Sequence, residues 1–134
     1  MKYNLDQRIE FGIIDEPVEP GVDYFRYPGQ RLGKRLDFRE IVEFYHSIAV
    51  SDELVCGEWG SAGVFDGMKV FLGGTLDRPG VVFDPYGLNL LPPESAGLLA
   101  GRIEPWRDEI NVPELIALLE RARDGNRFVI AFGI

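Results

Sequence analysis

From residue 37 to residue 50 the chain reads DFREIVEFYHSIAV, with Phe38, Ile41, Val42, Tyr45, Ile48 and Ala49 as its apolar positions. Their spacing lays one hydrophobic stripe along a helix and predicts an α-helix over about 37–50. Asp37 followed by Glu40 has capping-box spacing, with Asp in place of the usual Ser or Thr, and Arg39 stands one turn before Glu43. The same period returns in NVPELIALLERARDG, where Leu115, Ile116, Leu118, Leu119 and Ala122 mark a second helix, about 112–123. Asn111 is expected to cap it, Pro113 is tolerated in its first turn, and Asp124-Gly125 supplies the stop. A shorter helix is expected from Pro93 and Glu94, carrying Leu98 and Leu99 before Gly101 ends it.

Elsewhere the period shortens. RIEFGII and VDYFRY (Val22–Tyr27) suit strands, but proline follows each of them. Proline donates no ladder hydrogen bond, so both are expected as edge strands or as an extended arm within residues 1–36. ELVCGEW, GVFDGMKVFLGG and GVVFDPYG are short, β-branched and aromatic, and punctuated by glycine, so residues 53–84 read as an antiparallel meander. Asp66-Gly67 suits a type I′ hairpin turn and Pro79-Gly80 the middle of a type II turn. RFVIAFGI, apolar almost throughout, reads as a strand inside the sheet. The turns are too short for crossover helices, which disfavours a doubly wound fold. The expected architecture is a single α+β domain over 1–134, an antiparallel sheet of about five or six strands with the two main helices packed on one face.

Composition supports a core of ordinary size: 134 residues, 46% of them hydrophobic, need neither disulfide nor metal to fold. Charge changes the picture more. The formal net charge is −8, distributed unevenly. Residues 6–23 carry six acids against Arg8 alone, residues 26–39 carry five cations against Asp37, and residues 40–68 carry six acids and no Lys or Arg. Such a field repels nucleic acid and anionic lipid and favours encounter with a basic protein. No run approaches the roughly 20 apolar residues of a membrane span. The opening MKYNLDQRIEFGIIDEPVEP lacks the pattern of a secretion signal, so a cytoplasmic location is expected.

Candidate chemistry concentrates in VCGEWGSAGVFDG (55–67), which holds the only cysteine and Gly57, Gly60 and Gly63 at every third position. The spacing matches neither a Walker loop nor a dinucleotide loop, and Glu58 and Asp66 would repel a phosphate. Cys56 with His46 as base and Glu58 orienting it would make a catalytic thiol, but acidic surroundings raise a thiol's pKa. The glycines are therefore expected to bend a strand end beside Trp59, with Cys56 facing inward alongside Leu54. One His and one Cys cannot form a zinc tetrad, and no cofactor motif is present in the sequence. Arg26, Arg31, Lys34 and Arg35 either bind an anion or neutralise the acidic segments beside them; the second is expected.

The reading that follows is a binding module for a basic protein, with Glu40, Glu43, Asp52, Glu53 and Glu58 as contacts and Trp59 or Trp106 as apolar anchors. In size, charge and lack of catalytic residues, though not by any motif, the chain resembles small cytoplasmic immunity proteins that neutralise bacterial toxins. That resemblance implies a toxin as the partner. The alternative is a small thiol-dependent hydrolase using Cys56, His46 and Glu58.

Overall fold

The apolar run near the C-terminus lies at the centre of the sheet. In the computed structural model, which describes residues 4–133, Phe128–Gly133 (β6) pairs on one side with Arg8–Ile14 (β1) and on the other with Leu88–Leu91 (β5). Ile48–Ser51 (β2) extends β1, Val70–Leu72 (β3) extends β5, and Pro79–Gly80 (β4) closes the far edge. Every pairing is antiparallel, in the order β2-β1-β6-β5-β3-β4. The helices are Tyr27–Leu32 (α1), Phe38–Tyr45 (α2), Pro93–Arg102 (α3) and Val112–Asp124 (α4), and the fold is α+β.

Alternation along the strands divides the core into two layers. Ile9, Phe11, Val129, Ala131 and Leu91 face the layer built by α3 and α4, where Leu99, Leu115 and Leu119 are buried. Ile14, Ile130, Phe132 and Leu90 face the opposite layer, with Ile41 and Tyr45 of α2. The two main helices, expected on one face, thus lie on opposite faces. Each fully buried Val, Leu, Ile or Phe contributes about 1.5–3 kcal/mol, and β6 supplies Val129 to one layer and Ile130 and Phe132 to the other. A strand buried on both faces has no polar alternation, which is why FVIAF reads as an interior strand.

On the α2 face the approach is set by Gly12, where an added Cβ would lie 2.6 Å from the Tyr45 Cβ. The Tyr45 hydroxyl donates to the Tyr24 carbonyl beneath it. β1 is therefore an interior strand, not an edge, because its prolines lie beyond its end.

Several expectations are corrected. The helix expected over 37–50 stops at Tyr45: His46 is left-handed (φ 50°), and the His46 and Ser47 N–H groups bond back to Glu43 and Val42. Ile48 and Ala49, though at helical spacing, lie in β2 opposite Phe11 and Glu10. The capping box itself is present, with Glu40 N–H donating to Asp37 Oδ1 at 2.9 Å and Asp37 N–H to Glu40 Oε2 at 3.0 Å. Residues 22–27 form a turn running into α1, and Pro28 sits in that helix's first turn. α3 continues through Gly101 to Arg102. Asn111 precedes α4 as expected but is left-handed (φ 66°) and caps nothing with its side chain, whose Nδ2 donates instead to the Ala49 carbonyl of β2 at 2.8 Å.

The meander expected over 53–84 is mostly not a sheet. Glu53–Trp59 is a π-helical segment, seen in the Gly60 N–H bond back to Val55 O. Its buried residues, Leu54, Val55 and Trp59, follow the wider period of such a helix, not the alternation of a strand. Asp66-Gly67 is not a type I′ turn, because only Gly67 has positive φ. The β3–β4 reversal falls at Gly73 and Gly74 (φ 73° and 76°), which leaves Pro79-Gly80 as the strand. Among the described residues no helix is long and apolar enough to cross a membrane.

Candidate docking site

A cavity of about 590 Å³ opens beside the π-helical segment, with Val55, Cys56, Phe65, Val82, Phe83 and Tyr86 among its walls. Phe83 ties it to the core, stacking on Phe65 at 4.2 Å between centroids and on Phe11 at 6.3 Å. Around the mouth, Val81, Val82 and Tyr86 are 68%, 70% and 80% exposed, the most exposed large apolar side chains of the described residues. Soluble domains expose single apolar residues routinely, but three beside a cavity form a patch.

Two side chains hold the loops that shape this mouth. Asn89, fully buried in β5, accepts Asp84 N–H on Oδ1 at 2.8 Å and donates from Nδ2 to Asp84 O at 2.7 Å. Asp84 Oδ1 in turn accepts Tyr86 N–H at 3.0 Å, fixing where the tyrosine emerges. On the other wall, Arg102 of α3 donates to the carbonyls of Val64 and Asp66 at 2.9 and 2.8 Å. The loops are thus braced on regular elements.

Asp66 lines the cavity, and Asp84 stands between Phe83 and Pro85 of its wall. Asp52 acts electrostatically on both Cys56 and Tyr86. Burial pushes the Cys56 thiol up from its ordinary pKa and Asp52 adds to this, while a hydrogen bond with the Tyr86 hydroxyl opposes it. A protonated thiol in an acidic wall is a poor nucleophile.

The residues singled out from sequence do not form one patch. Glu40 and Glu43 belong to α2 on one face of the sheet, while Glu53 and Glu58 belong to the π-helical segment packed against the other. Glu40 is engaged already, in the capping box and with Lys34 Nζ at 3.0 Å. Trp59 is fully buried against Trp106 and Phe65, so it cannot be an anchor. Trp106 is half-buried against the same core.

Cys56 does not alternate inward with Leu54, as a strand would have required; it faces the cavity. His46 is exposed at the end of α2 and is not among the groups acting on the thiol. The proposed catalytic pair is therefore not brought together. Among the described residues no group of three or more His, Cys, Asp or Glu could hold a metal ion.

Sequence reasoning missed Val81, Val82 and Tyr86. GVVFDPYG has strand composition, and only the placement of β4 one step earlier leaves the valines unpaired. No family model matches the chain, and no curated protein or solved structure matches it either.

Proposed function

We propose that the chain is a protein-binding module that seats a basic partner on the lip formed by Val81, Val82 and Tyr86. The observation that carries this reading is the exposure of those three side chains beside a cavity that Asp66 lines, with Asp52 acting on Cys56 and Tyr86 of its wall and Asp84 between Phe83 and Pro85. An apolar anchor beside carboxylates suits a partner with an apolar projection set among Lys and Arg. His46, at the end of α2, is not among the groups acting on the Cys56 thiol, which favours binding over thiol hydrolysis. In its finer form the partner is a basic bacterial toxin met in the cytoplasm, with carboxylates occupying the cleft that would otherwise hold substrate phosphates.

Affinity capture from the native host tests this reading, comparing wild type with Val82→Asp and with Leu98→Asp on the exposed side of α3. A basic protein recovered by wild type and Leu98→Asp and lost with Val82→Asp supports it. Recovery of only neutral or acidic proteins, or capture indifferent to position 82, overturns it.

A further inference from the structure

A larger cavity lies on the other face of the sheet, beside the cations of residues 26–35. Its volume is about 960 Å³, at the upper end of the range for small-molecule sites. Phe25, Leu36, Ile41 and Leu88 supply an apolar interior, all of them part of the α2-side core. Arg26, Lys34 and Arg35 line the same cavity, and Asp23 is the only acid among the lining residues. Gly29, Gly33 and Gly73 form part of the wall.

The acids nearby are already committed. Asp23 Oδ1 accepts Phe25 N–H at 3.0 Å, and its other carboxylate oxygen lies 3.7 Å from Arg26 Nε. Lys34 pairs with Glu40 at 3.0 Å. Arg35 forms no ion pair among the described residues. In a chain of net charge −8, three cations against one acid around a single cavity with an apolar interior, one of the cations unpaired, are an unusual concentration of positive potential. Neutralisation of the acidic segments accounts for Arg26, Arg31 and Lys34, which lie beside Asp23, Glu16 and Glu40, but not for Arg35.

We propose that this cavity binds an amphipathic monoanion, a compound with an apolar chain or ring body and one carboxylate or comparable head group. The body enters between Phe25, Leu36, Ile41 and Leu88, and the head group stays at the mouth beside Arg35. A guanidinium presents paired donors that match a carboxylate's two oxygens, so the head is held by geometry as well as charge. Selectivity follows from the pair of features: an apolar alcohol lacks the head, and a small anion lacks the body.

Titration calorimetry with sodium decanoate tests the proposal, with decanol and sodium acetate as the two incomplete ligands. Wild type is expected to bind one decanoate, decanol at least tenfold more weakly, and acetate not measurably. Each methylene added to the probe should strengthen binding by about fourfold while the chain still fits. Arg35→Glu, a change at an exposed position, should weaken decanoate binding by tenfold or more, and Leu36→Trp should weaken it by filling the interior. Val82→Asp, in the other cavity, should leave it unchanged, which separates this site from the protein-docking reading. The absence of saturable decanoate binding overturns the proposal. So does binding unaffected by Arg35→Glu, or binding lost with Val82→Asp.

Discussion

Asn89 grips Asp84 with both ends of its side-chain amide, accepting from the Asp84 N–H at 2.8 Å and donating to the Asp84 carbonyl at 2.7 Å. The same Nδ2 reaches the Ala131 carbonyl of the central strand at 3.3 Å. One buried residue thus joins the loop bearing Val82 and Tyr86 to β5 and β6. Asn89→Ala leaves these groups without their partner inside the protein, which costs about 1–3 kcal/mol for each buried group left unsatisfied. Urea denaturation should show that loss, with faster amide exchange at Tyr86 and Gly87. A midpoint equal to wild type contradicts the role given to Asn89.

Gly12 is required by the approach of α2. A methyl group at this position would sit 2.6 Å from Tyr45 Cβ, so helix or strand must shift. Gly12→Ala should destabilise by about 1–3 kcal/mol, the ordinary range for overpacking. Chemical denaturation measures it, and a neutral substitution would mean that α2 does not rest on β1 there.

The Asp37 N–H, and after it Lys34, holds the Glu40 carboxyl below the usual glutamate range. In mildly acidic solution the unfolded chain then binds more protons at this site than the folded one, so stability rises with pH. The contribution is present above the ordinary glutamate pKa and is lost as pH falls through the folded value. Glu40→Gln should therefore be less stable than wild type at neutral pH, and the gap should narrow on acidification. Denaturation midpoints across a pH series decide it; a gap that does not change with pH contradicts the assignment.

Cys56 should react slowly with iodoacetamide at neutral pH, because burial and Asp52 both favour the protonated thiol. Tyr86→Phe removes the opposing hydrogen bond and should slow the reaction further, while Asp52→Asn should speed it. Rates followed by mass spectrometry test the order. Rapid, selective labelling of the wild type would revive the thiol-hydrolase reading.

Elements with a clean period were legible in the sequence. α4 and β6 appear where the apolar spacing placed them, because burial on one stripe or on both faces leaves an unambiguous pattern. The segment 37–50 misled because Ile48 and Ala49 continue the helical spacing by coincidence, while His46, which ends α2 with φ 50°, carries no glycine-like signal. The π-helical segment was illegible for a different reason: its β-branched and aromatic residues, with Gly57 among them, have strand composition, and three buried positions, Leu54, Val55 and Trp59, are too few to set a period. Of the candidate site, the acidic charge was readable. The apolar lip was not, since exposure of Val81 and Val82 depends on which residues β3 pairs with.

The central claim is that carboxylates speed a basic partner toward an apolar lip that then holds it. The most direct measurement is the association rate of the captured partner across ionic strength, for wild type and for the double variant Val81→Asp/Val82→Asp. The account predicts a wild-type rate that falls by about tenfold or more as salt screens the carboxylates, and a double variant that meets the partner but dissociates far faster. A rate independent of salt, together with a complex untouched by the two aspartates, would contradict it.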